Sequence, residues 1–255
     1  MNENSCHQIL LLKKFFRYNR DLIIISLCSV TALCFITMFA PVSFSSFREP
    51  DLFSDMWYFI TITGNYAMLI VILCLFLIFS CFLYFKKFGK MKGYIIFNLI
   101  FATSFTLLGL SNEFVLKEIF KGIRPSQIYL QQFSEIHETD TNLPDVNKSI
   151  LNEWLNARSY SFPSGHAVAS FYLAITFAFI LKKLISSGFS FIMYLPFIWA
   201  FLVSISRVVI GIHNNFDVII GAFIGVFASF IFLYYSNATS VFNPSVATLE
   251  AIHKS

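Results

Sequence analysis

Apolar runs of roughly 20 residues, enough to cross the hydrocarbon core of a bilayer, recur along this chain. Charged side chains are absent from residues 22–40, 66–85, 93–112, 167–181, 189–206 and 218–235. A backbone in hydrocarbon must satisfy its own hydrogen bonds, so these runs read as helices. The sequence predicts an all-α, polytopic membrane protein with six transmembrane helices in one bundle. Their spans fall at about 22–40, 65–85, 93–110, 165–181, 189–209 and 217–236, the third continuing as helix into the segment after it. Composition agrees. Of the 255 residues 57% are hydrophobic and 13% charged, with a mean hydropathy of +0.71. A soluble domain carries about 25% charged residues. The 33 Phe residues read as lipid-facing or packing surface. The five Cys show no metal-ligand spacing and no disulfide framework, and read as packing residues. No clustered basic face for nucleic acid is present.

Charge placement orients the bundle. Lys13, Lys14, Arg17, Arg20, Lys86, Lys87, Lys90, Lys92, Lys182, Lys183 and Lys254 all fall on one side. By the excess of cations in cytoplasmic loops, that side is the cytoplasm, with both termini on it. Arg48, Lys117, Lys121, Arg124, Lys148, Arg158 and Arg207 fall on the other, with Glu135, Glu138, Asp140, Asp145 and Glu153. The residues before Pro41, Met38-Phe39-Ala40, lack a small-x-small cleavage pattern, so the first helix reads as an uncleaved signal anchor. Residues 1–255 read as a single domain, and residues 126–160 form its only long polar stretch, a non-cytoplasmic loop or lid.

Three segments on the non-cytoplasmic side carry the chemistry. In residues 117–125, Lys117 and Arg124 lie seven apart on one predicted helix face, and Pro125 ends the helix at Arg124. A guanidinium there suits two phosphate oxygens. Taken alone, Lys117, Lys121 and Arg124 read more readily as cations snorkelling to the interface. In residues 161–166, Pro163 and Gly165 make a turn before the fourth helix. That helix N-terminus offers unpaired N–H groups to an anion. Ser164 adds a hydroxyl, Gly165 allows close approach, and His166 can protonate a leaving oxygen. An ordinary cap with an incidental His is the plain alternative. In residues 206–217, His213 and Asp217 lie four apart and face the same way in a helical turn. A carboxylate on one ring nitrogen fixes the tautomer and frees the other to attack. Arg207 at that depth is costly unless it faces a polar cavity. Asp217 is also readable as a simple N-terminal cap.

These segments read Lys-x6-Arg-Pro, Pro-Ser-Gly-His and Ser-Arg-x5-His-x3-Asp. In that pattern the chain resembles the type-2 phosphatidic acid phosphatase family, also called the lipid phosphate phosphatase and haloperoxidase-like superfamily. All three parts match at every defined position, over residues 117–217. The resemblance implies a metal-independent membrane phosphatase with no cofactor, acting on a lipid phosphate through a phosphohistidine. It implies His213 as nucleophile, Asp217 as its orienting carboxylate, and His166 as general acid and then base. Lys117, Arg124, Ser164, Gly165 and Arg207 would bind the phosphate, with Ser206 in a supporting role. It also implies a bacterial cytoplasmic membrane with the active site facing the periplasm or outside.

A site at the bilayer edge points to an amphiphilic phosphate ester. Chain length, the region around Trp154 and the aromatic Phe162 resemble the bacterial phosphatidylglycerophosphate phosphatase B type. The substrates so implied are phosphatidylglycerophosphate, phosphatidic acid and undecaprenyl pyrophosphate. A lipid A phosphatase is the alternative. A lipid-phosphate transporter or flippase is an alternative of another class, against which stand the His213–Asp217 pair and the second histidine. An inactive scaffold would be expected to lack a catalytic position. A haloperoxidase would be expected to be soluble.

Overall fold

The structure, a computed structural model, describes residues 3–39, 52–136, 144, 146–185, 187–236 and 238–242. The expected break at Ala40-Pro41, Arg48, the acids Glu138, Asp140 and Asp145, and Lys254 lie outside the described residues.

The described chain is all helical. An N-terminal helix, α1 (Glu3–Tyr18), precedes the first span, α2 (Arg20–Phe39). A short α3 (Leu52–Thr63) leads to α4 (Tyr66–Phe88) and α5 (Lys92–Ser111). The polypeptide continues through a π-turn (Asn112–Leu116) into α6 (Lys117–Phe120). Next come α7 (Pro125–Ile136) and α8 (Lys148–Asn156), then α9 (Gly165–Leu184). A 3-10 segment (Ser187–Tyr194) runs into α10 (Leu195–Val209), followed by α11 (Asn215–Tyr235) and α12 (Ala238–Val241). Among the described residues six helices are long and apolar enough to span a membrane: α2, α4, α5 with its continuation to Phe120, α9, the 191–209 stretch and α11. The six expected spans are thus present, each within a few residues of its predicted bounds.

The helix α9 is the axis of the bundle. It is apolar all round and buried along almost its whole length, as a central helix must be. It packs against α10, α11, α4, α5 and α2. Helices in lipid approach closely where side chains are small. A methyl group on Gly221 of α11 would sit 2.7 Å from the Ser164 carbonyl, and one on Gly225 would collide with that of Val168. These glycines let the backbones touch, and the Ser164 N–H bonds the Asp217 carbonyl at 3.0 Å.

One expectation is corrected. Lys117 and Arg124 do not share a helix face. The helix ends at Phe120, because Lys121 turns left-handed with φ 48°. Arg124 instead stands immediately before α7, whose first residue is Pro125. Proline suits a first helical position, where its missing N–H is not needed, so it opens this helix rather than closing the previous one.

The described parts of 126–160 hold two helices, α7 and α8, where the sequence predicts a loop or lid. Asn147 caps α8 by accepting the Ser149 N–H at 3.0 Å. Ile150, Leu151 and Trp154 form its buried stripe, packed on Ile210 and Ile212. The Trp154 indole donates to the Ile210 carbonyl at 2.7 Å, so α8 is docked on the turn that carries His213.

Candidate active site

The three segments converge at one end of the bundle. Gly211, with φ 73°, lets the chain turn between α10 and α11 and presents His213. His213 is 3% exposed. Its Nδ1 lies 3.5 Å from Asp217 Oδ2 and 3.2 Å from the Ser161 hydroxyl, which donates a short hydrogen bond to the same carboxylate oxygen. That oxygen also accepts the Asn214 N–H at 2.9 Å, completing a capping box at the start of α11. Asp217 faces the imidazole, and it supports the helix start from the third position of the capping box, the N-cap itself being Asn214. The other ring nitrogen, Nε2, faces Arg124 Nη1 at 3.5 Å. Burial, followed by the charges of Arg124, Arg207 and Lys117, pushes the His213 imidazole well below its ordinary pKa. The ring is neutral at neutral pH, and a neutral ring has a lone pair to offer.

Three buried cations bear on His213, Arg124 beside Nε2 and Lys117 and Arg207 through their charge. Arg124 is buried and its donors are engaged. Nε donates to the Ser159 carbonyl at 2.9 Å, Nη1 to the Ile212 carbonyl at 3.2 Å, and Nη2 to the Ser159 hydroxyl and the Tyr160 carbonyl. It thereby ties the strand of chain before α9 to the His213 turn. Burial pulls its pKa down, against the carboxylates of Glu113, Asp217 and Glu153. Lys117 is buried and bonds Glu113 at 2.6 Å and the Ser159 hydroxyl at 3.0 Å. Arg207 is buried on the last turn of α10, 3.6 Å from Glu153 of α8. Its Nε and Nη1 have no hydrogen-bond partner. Buried charges must be compensated, and here Lys117 leans on Glu113 and Arg207 on Glu153.

Ser164 caps α9, yet its hydroxyl makes no capping bond and has no partner. Gly165 and His166 open that helix, whose first N–H groups are free of helical partners. His166 Nε2 lies 2.8 Å from the Asn65 side-chain oxygen. Ser206 bonds Thr61 at 2.6 Å and joins α10 to α3. All eight predicted site residues thus lie at one end of the bundle. Ser159, Ser161, Asn65, Glu113 and Glu153 belong to the same network and were not singled out from sequence. Ser161 lies two residues before the Pro-Ser-Gly-His motif, but the others carry no local signal.

Beside the site, α4, α5 and the start of α9 enclose a cavity of about 370 Å³. Its lining is apolar (Ile70, Leu73, Phe105, Val168 among others), and it ends at Tyr66, Asn112, Glu113 and Gly165. Among the described residues no cluster of His, Cys, Asp or Glu is arranged to hold a metal ion.

A family model, that of the PAP2 superfamily, matches residues 93–240, which contain all eight predicted site residues. The chain belongs to the PAP2 superfamily. It is an integral membrane protein. Among its relatives is a phosphatidylglycerophosphatase B of Haemophilus influenzae, 24% identical over 219 residues, 74% of this chain and 85% of that one. A solved structure, a transmembrane PAP2-type phosphatidylglycerolphosphate phosphatase from Bacillus subtilis, shares the fold. Its TM-score is 0.52 at 22% identity, over 86% of this chain and 95% of that one.

Proposed function

We propose that this protein is a metal-independent lipid phosphatase that hydrolyses a phosphomonoester or pyrophosphate of a membrane lipid through a phosphohistidine. The observation that carries the reading is the His213 ring, with Nδ1 turned to Ser161 and Asp217 and Nε2 turned to Arg124. Nε2 attacks phosphorus and the P–O ester bond breaks. His166, held by Asn65, gives its proton to the leaving oxygen. His166 then takes a proton from water as that water attacks phosphorus and the N–P bond breaks. Asp217 stabilises the charge on His213. Lys117, Arg207, the Ser164 hydroxyl and the backbone at Gly165 hold the phosphoryl oxygens, while Arg124 sets positive charge beside Nε2 and fixes the surrounding chain. Phosphoryl transfer asks mainly for such positioning and neutralisation.

The apolar cavity supports an amphiphilic substrate with its chains in the bilayer. The names of the relatives favour phosphatidylglycerophosphate, with phosphatidic acid and undecaprenyl pyrophosphate next. The docking of α8 on the turn that carries His213 supports residues 126–160 as a loop or lid over the site. The test is phosphate release from purified protein in excess EDTA. Wild type releases phosphate from a lipid phosphate, and His213→Ala does not while remaining membrane-inserted. Full release by the variant, or release that returns only with added Mg²⁺, overturns the mechanism.

A further inference from the structure

The cavity ends on a polar group that the phosphate chemistry leaves unused. Asn112 is 1% exposed and lines the cavity, and neither its Nδ2 nor its Oδ1 has a hydrogen-bond partner. Buried amides are nearly always satisfied, and one left open is costly. The backbone is built to put it there. Residues 112–116 form the π-turn, in which the Lys117 N–H bonds the Asn112 carbonyl. Such wide turns inside α-helices occur mostly at functional sites. Five residues apart on a regular helix, two side chains diverge; the wider turn swings Asn112 back toward the face that carries Lys117. A methyl group on Gly165 would stand 3.3 Å from both the Asn112 Nδ2 and the Tyr66 hydroxyl. The amide and the phenol therefore meet at the first residue of α9, the residue after Ser164.

We infer that Asn112, with Tyr66 beside it, reads the leaving alcohol of the substrate. The inference rests on the phosphatase reading above. With phosphate at the N-terminus of α9 and hydrocarbon in the cavity, the atoms between them pass Asn112. An open donor and an open acceptor, both uncharged, fit an uncharged oxygen: a hydroxyl or an ester close to the phosphoester. Glycerol-based lipid phosphates carry that oxygen on the neighbouring carbon. Prenyl and simple alkyl phosphates carry only hydrocarbon there. A site built to hydrogen-bond a substrate group rejects the analogue that lacks it, because the site's own polar atoms are then left unpaired. Asn112 thus selects glycerol-linked over hydrocarbon-linked phosphates and takes no part in bond making.

The test compares three substrates of matched chain length in detergent micelles: a monoacylglycerol phosphate (hydroxyl), a diacylglycerol phosphate (ester) and hexadecyl phosphate (neither). In Asn112→Leu, the kcat/KM ratio of the glycerol lipids over hexadecyl phosphate falls about tenfold or more. Tyr66→Phe moves it the same way by less. A fall confined to the monoacyl lipid assigns the contact to the hydroxyl, and one confined to the diacyl lipid assigns it to the ester; both support the inference. An unchanged ratio, or equal losses on all three substrates, overturns it. Equilibrium binding of the same lipids to His213→Ala, with and without Asn112→Leu, reads the ratio without turnover. Absence of hydrolysis by wild type would sink the phosphatase reading, while the binding ratio still decides on Asn112. Should Asn112→Leu fail to fold, Asn112→Thr and Tyr66→Phe carry the same comparison.

Discussion

At the scale of single residues, His213 depends on a serine that no motif names. Ser161 donates to Asp217 and touches His213 Nδ1, so it fixes the carboxylate and the ring at once. A hydrogen bond to a charged group contributes about 1.5–3 kcal/mol. Ser161→Ala should therefore lower kcat about 10- to 100-fold, with a smaller change in KM because the phosphate cradle is intact. An unchanged kcat in steady-state assays would remove Ser161 from the mechanism. The buried imidazole makes a second prediction. Its folded pKa lies well below the ordinary value of 6.5, first through burial and then through Arg124, Arg207 and Lys117. With the folded value depressed, the unfolded chain takes up the proton first. The stability that comes from keeping this ring neutral is complete above about pH 6.5 and is lost as pH falls. Each unit of depression corresponds to about 1.4 kcal/mol. The melting temperature in detergent should drop between pH 7.5 and pH 5, and His213→Asn should flatten the drop. Equal drops in both proteins would place the titration elsewhere.

At the scale of elements, α8 both covers and competes. Trp154 anchors it to Ile210, and Asn147 ties its start to Asp55 and Ser54 of α3 at 2.7 and 3.0 Å. That docking carries Glu153 to Arg207. A phosphoryl group bound by Arg207 must displace this carboxylate. A partly exposed ion pair is worth up to about 1 kcal/mol. Glu153→Gln should therefore tighten inhibition by vanadate, a phosphate mimic, by about two- to fivefold. Weaker inhibition would mean that Glu153 supports anion binding rather than opposing it. The same element shows where sequence reading reaches its limit. The six spans were legible because length and apolarity are local properties. His213, Asp217 and the residues of Pro-Ser-Gly-His were legible because each motif is a short run of chain whose spacing encodes one turn. The pairings Glu153–Arg207, Asn65–His166 and Arg124–Ser159 join segments distant in sequence, and only packing brings them together. Arg124 shows the cost of a local argument: Pro125 was read as ending a helix, and it begins one.

At the scale of the whole molecule, α9 measures the distance between two chemically opposite ends. Its 20 residues span about 30 Å, the thickness of the hydrocarbon core. Its first residues belong to the site. At its other end Lys182 pairs with Asp21 at 3.0 Å, and Lys87 donates to the Lys183 carbonyl at 2.6 Å. Lys183 in turn lies 3.6 Å above the Tyr18 ring, which brings α1 to that end too. The bundle therefore has a basic face and a catalytic face one membrane thickness apart. Cations are retained on the cytoplasmic side during insertion, and on that ground we propose that the catalytic face lies outside. In a background with the native cysteines replaced, a cysteine at Gln132 on α7 should react with an impermeant maleimide added to intact cells. One at Lys90, between α4 and α5, should react only after permeabilisation. Both positions are exposed, so silence at either reports the barrier and not burial. The opposite pattern would turn the catalytic face to the cytoplasm. The leaflet from which the cavity draws its lipid would then be the inner one, so the labelling result decides which pool of lipid phosphate the enzyme meets.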